Sequence, residues 1–465
     1  MILPPDLSLL DSAGKDALIL ALIERLNKLT AQVERLEAEV TALRAENAEL
    51  RAKLNLPPKN PNNSSIPPSR GQKASEEEKR KPKGKPHAGV SRELHPNPTQ
   101  VRTFEATHCE HCHADVSGVE QQPVHAYDRI EIPEIKPDVT RVVLMGGSCP
   151  CCAETFKAKA PVGLEPGSPF GPNLRAFAIY LRTTHAISLE RLVRLFSDLF
   201  GIKISEGALV NILADSKEAF ARQASRIRAD LLAGTILASD ETSMRVGKRN
   251  WWAWVFHHGD ACCFLIHPNR SKVAVSEFLG DYRPEIWVSD RFGAQKGWAK
   301  RDHQFCLAHL IRDAQYAIDA GDTVFAPLFR DLLKQACAIG RRRPDLADGT
   351  LCRYARKLYS DLDALLRKRP SNIEGQKFQI TIKDCRQNLF VFMKNRAVPP
   401  TNNESERSIR PCVTFRKVTN CFRSKWGAKL YADIRSVLET ARRRAIGPFQ
   451  AIRWTLSSQP LLNTG

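Results

Sequence analysis

The chain has 465 residues, 42% of them hydrophobic, and carries a formal net charge of +19. That length exceeds one compact core, so roughly two to four domains are expected. Its positive balance favours an anionic polymer as partner, because Lys and Arg displace counterions from a phosphate backbone, with surplus solvated charge as the plain alternative. No run is apolar enough to span a bilayer, and Met1-Ile2-Leu3-Pro4-Pro5 lacks both parts of a secretory signal. The expectation is therefore a cytoplasmic, nucleoid-associated protein with no membrane partner, whose 13 cysteines are reduced or metal-bound.

Residues 1–56 read as a coiled-coil helix. Ile19, Leu22, Leu26, Leu29, Val33, Leu36, Val40, Leu43, Leu50 and Leu54 are spaced by threes and fours over most of their length. With Leu26 at heptad position a, Val33 and Val40 share it, and Leu29, Leu36, Leu43 and Leu50 fall at d. β-Branched a with Leu d favours a parallel homodimer, and Asn47 at a fixes register. Glu39 and Glu46 at g face Arg44 and Arg51 at e of a partner. The alternative is an amphipathic helix packed on its own domain.

Pro57-Pro58 stops the helix. Residues 57–104, rich in Pro, Ser, Asn and Lys, read as a disordered basic linker; its run Lys79–Lys85 either touches DNA or is solvated. Residues 105–157 carry Cys109-x-x-Cys112 and Cys149-x-x-Cys152 around the alternating stretches Tyr127–Ile132 and Thr140–Leu144. Two thiol pairs joined by a β-ribbon suit tetrahedral zinc, with a redox pair as the weaker alternative. His108, His111, His113 and Cys151 read as neighbours in the knuckle loops. In the helical region 158–232, Ile187–Phe200, Gly201 and Ser205–Ala219 follow helix-turn-helix spacing, with Ser205 as N-cap. That segment is either a groove-reading element or an ordinary helical hairpin.

Residues 233–312 read as strands: Thr235–Ser239 ending at Asp240, then Trp251–His257 and Ala261–His267. A helix at Ser271–Leu279 follows, then Glu285–Ser289 ending at Asp290, and His303–Leu307 leading into a helix through His309. This order matches the start of a ribonuclease-H-like α/β layer. Residues 313–395, with Arg341–Arg343 in a turn, read as a helical insertion; 396–447 return to the catalytic core with Glu406, and 448–465 form a tail. The fold class is thus multidomain: coiled coil, small zinc ribbon, helical DNA-binding region, and an α/β ribonuclease-H-like catalytic domain with a helical insertion.

Asp240, Asp290 and Glu406 are the candidate catalytic and metal-binding residues. One acid at a strand end is more often a turn or cap residue. Three in a basic chain, two of them closing apolar runs as Ser-Asp, fit two Mg²⁺ (or Mn²⁺) ions. Such ions activate an attacking hydroxyl and stabilise a leaving oxygen.

With these motifs in view, the chain resembles the DDE transposases of the IS66 insertion-sequence family, over nearly its whole length. The resemblance is carried by the heptads, the paired Cys motifs and Asn62-Asn63-Ser64-Ser65-Ile66-Pro67-Pro68-Ser69. It is carried also by Ser239-Asp240-Glu241-Thr242, Val288-Ser289-Asp290 and Asn402-Asn403-Glu404-Ser405-Glu406-Arg407, followed by Arg410-Pro411 and Arg416-Lys417. The family pattern of two Asn, two spacers and Glu-Arg selects Glu406 over Glu404. The resemblance implies metal-dependent cleavage and strand transfer of double-stranded DNA at element ends, a ribonuclease-H fold, and help from two small accessory proteins. Departures are Ala153, where Gly is more usual after the knuckle, and Ser405, where Ala is common. Cys306-x-x-His309 is either support near the site or a core thiol and a helix-facing imidazole. Asn403 is expected to cap the helix of Glu406, and Arg407, Arg410, Arg416 and Lys417 to hold DNA phosphates. Trp251, Trp252 and Trp254 pack in the core or stack on an unpaired base. Two other readings stay open: a dimeric zinc-containing DNA-binding protein with an inactive nuclease fold, and a nuclease that hydrolyses without joining.

Overall fold

A computed structural model describes residues 11–54, 56–64, 89 and 92–461, with side chains left out over 48–54. Lys79–Lys85, Ser65–Ser69 of the linker motif, and the side chains of Leu50, Arg51 and Leu54 lie outside the described residues. The chain divides into two compact units: Met1–Gly71 with Asp302–Asn402, and Gln72–Arg301 with Asn403–Gly465.

Helix α1 (Ser12–Leu54) runs for 43 residues, about 65 Å at 1.5 Å per residue. Its seam is open: Leu26 is 65%, Val33 52% and Leu36 59% exposed.

In the larger unit, strands β1 (Gly146–Ser148) and β2 (Thr155–Lys157) pair antiparallel around the second Cys turn. The stretches Tyr127–Ile132 and Thr140–Leu144, expected to be ribbon strands, form no ladder. Tyr127 is 78% and Ile132 76% exposed. Alternation makes a strand only where a neighbour supplies hydrogen bonds and a core covers one face, and neither is present for these residues.

Four helices follow: α2 (Pro172–Thr184), α3 (Leu189–Phe200), α4 (Glu206–Asp215) and α5 (Lys217–Leu232). Gly201 ends α3 in the left-handed region at φ 64°, and the Ser205 hydroxyl caps α4 by accepting from the Ala208 N–H at 3.1 Å. The helix expected to reach Ala219 stops at Asp215. Ser216 donates its hydroxyl to the Leu213 carbonyl at 2.8 Å, a local bond that competes with helix continuation, and α5 starts anew. The exposed positions of α4 include Glu206, Asn211 and Asp215, and no Lys or Arg lies between Glu206 and Asp215. A groove-reading helix without a cation meets phosphate repulsion, which favours the ordinary hairpin reading.

The sheet of this unit comprises β3 (Ile236–Val246), β4 (Arg249–His258) and β5 (Ala261–His267). After α6 (Lys272–Leu279) comes β6 (Ile286–Ser289). They lie in the order β5-β4-β3-β6. β3, β4 and β5 form an antiparallel meander, and β6 runs parallel to β3 with Ile236 opposite Ile286. Contrary to expectation, Asp240 does not end its strand. It lies within β3, because the β4 ladder continues from Ala238↔His257 to Val246↔Arg249 regardless of side-chain polarity.

The smaller unit contributes β7 (Asp302–Phe305), α7 (Leu307–Asp319), α8 (Phe325–Arg342), α9 (Asp348–Leu366) and α10 (Ile373–Asp384). Its buried Arg343 donates to the carbonyls of Phe392 at 2.6 Å and Val398 at 2.7 Å, drawing the segment after α10 onto the end of α8. Part of the expected linker is built into this unit. Asn63, 2% exposed, accepts from the Asn60 N–H at 2.8 Å and donates to Asp319 on α7 at 2.9 Å. A side chain with both a donor and an acceptor makes a closed turn there despite the polar composition.

The larger unit then resumes with α11 (Asn403–Thr419), α12 (Lys425–Arg443) and α13 (Pro448–Leu456). The segment expected to be a tail is core: Ala451 and Ile452 are fully buried and Leu461 is 2% exposed. One sheet face, with Leu237, Trp254, Phe256 and Trp287, packs against α2–α6, α12 and α13. The other, with Met244, Ala253, Val255 and Phe264, packs against Ile409, Cys412 and Phe415 of α11. Helix α12 closes the β5 edge. Thr440 both accepts from and donates to Cys262 at 3.1 Å, and Ser436 accepts from the Phe264 N–H at 2.8 Å. These hydroxyls stand in for a missing strand on an edge that otherwise invites pairing. Among the described residues, no helix is long and apolar enough to cross a membrane.

Candidate active site

The parallel register of β3 and β6 sets the geometry. Ala238 lies opposite Val288, so extending the register by two residues sets Asp240 beside Asp290. Strands in a sheet are about 4.8 Å apart and alternate residues share a face. Asp240 therefore lies on the face of Ala238 and Met244, which α11 covers, and Asp290 follows the end of β6 next to it, where its charge acts on both Asp240 and Glu241. Ser239 and Ser289 precede the two acids and are fully buried. Each Asp accepts a backbone N–H at 2.9 Å, from Glu241 at Asp240 and from Phe292 at Asp290. These bonds fix the carboxylates on their strands.

Glu406 lies in the first turn of α11, whose amide end favours negative charge. Helix α11 begins at Asn403, so Asn403 stands inside the helix and not ahead of it as its cap. Burial pushes the Asp240 carboxyl well above its usual range, and the charges of Glu241, Asp290 and Glu406 push it further. The three candidate acids thus act on one neighbourhood. Among the described residues, no three His, Cys, Asp or Glu side chains gather closely enough to grip one ion. The donor chemistry nonetheless suits Mg²⁺, which takes oxygen ligands, keeps several waters and needs only one or two carboxylates per ion.

Sequence reasoning missed what surrounds Asp240. Glu241 points to the opposite face, where its side chain is 1% exposed. There it accepts two hydrogen bonds from Arg270 at 3.0 and 2.9 Å and one from Gln295 at 2.7 Å. Gln295 in turn accepts from the Trp287 indole at 3.2 Å, and Arg270 lies between the rings of Trp252 and Phe292. This clamp ties β3 to β6 directly behind the two aspartates. Only packing of the turns after β5 and β6 brings Arg270 and Gln295 to Glu241, so no spacing signal marks them.

A second network, also invisible in sequence, braces α11. The Ser405 hydroxyl lies 2.7 Å from Nε2 of buried His257. Burial and then the Arg443 charge hold that imidazole well below its usual pKa, in the neutral form. Ser408 donates to buried Glu439 at 3.0 Å. Burial works against the Glu439 charge, but the Arg442 hydrogen bond and the charges of Arg442, Arg435 and Arg443 outweigh it and hold its pKa down. Glu404 pairs with Arg443 at 2.9 Å, so the neighbour of Glu406 is committed elsewhere.

Of the expected DNA-contacting residues, Arg407, Arg410 and Lys417 are exposed. Arg416 is half-buried and donates to the carbonyl and hydroxyl of Ser243 on β3, a tie between helix and sheet. Trp254 is fully buried, while Trp251 and Trp252 are half-buried. In the smaller unit, buried Cys306 accepts from the Asn402 N–H at 3.1 Å, a structural role for that thiol.

The two Cys turns have one geometry. The Cys109 and Cys149 N–H groups donate to the carbonyls of Ala114 and Glu154 at 2.9 and 2.8 Å. His113 and Ala153 both sit in the left-handed region, at φ 59° and 60°, which is why Gly suits that place. In each turn, backbone N–H groups of the second Cys and its predecessor lower the pKa of the first thiol. That favours the thiolate form a metal takes.

Residues 167–430 match the Transposase IS66 family. No curated protein matches the chain. The family match covers more than half of the sequence and spans Asp240, Asp290 and Glu406, and the chain therefore belongs to the IS66 family of transposases.

Proposed function

We propose that this transposase is a DDE enzyme that cleaves and joins double-stranded DNA at the ends of an insertion sequence. Asp240, Asp290 and Glu406 are the proposed ligands of two Mg²⁺ (or Mn²⁺) ions on a ribonuclease-H-like sheet. The observation that supports the reading is that β3 and β6 run parallel up to Ala238 and Val288, just before Asp240 and Asp290, and that the charges of Asp290 and Glu406 both act on the Asp240 carboxyl. Bound divalent ions would supply a nucleophile active at neutral pH and charge stabilisation of the leaving oxygen. The chain's own residues hold the donors. The Glu241–Arg270–Gln295 clamp sets the spacing of β3 and β6, and the His257–Ser405 and Glu439 contacts seat α11. Arg407, Arg410 and Lys417 contribute phosphate contacts.

Two further parts belong to this reading. The matching Cys turns are the proposed donors of a structural zinc through Cys109, Cys112, Cys149 and Cys152. The open heptad seam of α1 is the proposed homodimer contact. Small accessory transposition proteins and a nucleoid location follow from the family reading alone.

The test is cleavage of element-end duplexes by purified protein with Mg²⁺ and with chelator. Asp240→Asn, Asp290→Asn and Glu406→Gln should each lose at least about two orders of magnitude in rate, the scale of removing a group that stabilises transition-state charge, while DNA binding persists. Glu404→Gln should keep cleavage, because its carboxylate serves Arg443. Wild-type cleavage by any one of the three variants overturns the assignment.

A further inference from the structure

Helix α11 leads from Glu406 to a second basic surface that sequence order scatters. The β3–β4 hairpin turns through Gly247, at φ 60°, and carries exposed Arg245, Lys248 and Arg249. Its tip is fastened to the turn between α11 and α12. Gly247 N–H donates to the Phe422 carbonyl at 2.8 Å, and Phe422 N–H returns a bond to the Arg245 carbonyl at 3.1 Å. That turn and the end of α11 carry exposed Lys417, Arg423 and Lys425. Arg416 adds a side-chain tie to Ser243 on the same strand.

Three properties of this surface go together. It is uniformly positive: neither residues 242–258 nor 407–432 contain an Asp or Glu. Its cations are uncommitted, since none of these six is ion-paired among the described residues, whereas the arginines of α12 are tied up around Glu439. It is held rigid, because backbone hydrogen bonds set the hairpin tip against the turn, and preorganised charge binds at lower entropic cost. Along α11, the exposed positions Arg407, Arg410, Thr414 and Lys417 form one stripe at helical spacing. The stripe covers about 15 Å at 1.5 Å per residue, over which duplex DNA presents a dense row of phosphates.

We propose that the β3–β4 hairpin tip and the α11–α12 turn form a docking surface for the phosphate backbone of duplex DNA. This surface is separate from the carboxylates and is joined to them by the α11 stripe. It rests on the transposase reading and adds where the duplex is held. Contacts of this kind carry no base information and set orientation, so the surface binds any sequence and aligns the strand with Glu406.

The test uses the full chain, chelator in place of Mg²⁺, and a fluorescent duplex of arbitrary sequence, with anisotropy titrations over a range of salt concentrations. Each lost phosphate contact should flatten the slope of log K against log salt by about 0.9. Lys248→Glu with Arg249→Glu should flatten it by roughly two and weaken binding at least tenfold or so at low salt. Arg423→Glu with Lys425→Glu should act alike, and Arg353→Glu with Lys357→Glu, exposed on α9, should not. Should the reversed pairs fail to fold, as judged by circular dichroism, Lys248→Gln with Arg249→Gln carries the same test with a smaller loss. A wild-type slope in folded hairpin variants overturns the docking surface and leaves the transposase reading standing. Failure of the wild-type chain to bind duplex at all overturns both.

Discussion

Asp433 on α12 bears a charge that its surroundings oppose: burial pushes its carboxyl up to about 6, and Lys429 offsets this only in part. The unfolded chain has no such burial, so its carboxyl ionises near 3.8. Between those values the unfolded state binds fewer protons than the folded state, and stability falls as pH rises. Asp433→Asn removes the ionisation. It should stabilise the protein at pH 7 by about 1–2 kcal/mol after allowance for solvent screening and give no such gain near pH 4. Thermal or urea unfolding at the two pH values measures this, and an equal gain at both would refute the account. Glu439 shows the contrast. It is buried more deeply on the same helix, yet three arginines and Ser408 keep it charged. Removing one side of such a pair is costly because the other stays buried.

At the scale of elements, two devices hold the proposed active site without touching substrate. The clamp around Glu241 links β3 to β6, and the contacts of Ser405 and Ser408 link α11 to β4 and α12. Ser405 departs from the usual Ala and finds a use here, as the hydroxyl partner of a buried neutral imidazole. The Cys turns are a third element with its own consequence. The proposed four-thiolate site would carry about one zinc per chain. Metal analysis should find zinc in the wild type and little in Cys109→Ser or Cys149→Ser. Full zinc retention in both variants would dismiss the four-thiolate site. Ala153 at φ 60° is strained relative to Gly.

For the whole molecule, α1 is the feature on which the proposed homodimer rests. Its described seam from Ile19 to Leu43 is half or more exposed at nearly every position, and an apolar stripe of this length is stable when a second helix covers it. Leu29→Asp with Leu36→Asp should convert a dimer to a monomer by light scattering while leaving the melting of the remaining chain within a few degrees. A wild-type chain that is already monomeric at micromolar concentration would rule out the parallel coil.

By itself the sequence determined the elements whose signals are local. Heptad spacing marked α1, Ser205 and Gly201 marked helix ends, and apolar runs marked β3 to β6. It misread what depends on a partner. Tyr127–Ile132 alternates but has no neighbour to pair with, residues 448–461 look polar enough for a tail but deliver Ile452 and Leu461 to the core, and Asn60–Ser64 finds an anchor on α7. The tertiary structure alone decided that the charges of Asp290 and Glu406 act on Asp240 and that Glu241 turns away to Arg270. It also decided that the hairpin carrying Arg245, Lys248 and Arg249 is fastened at Gly247 to Phe422, the neighbour of Arg423. The physical reason is that periodicity reports which face a residue occupies, whereas register and packing choose the residues that stand opposite it.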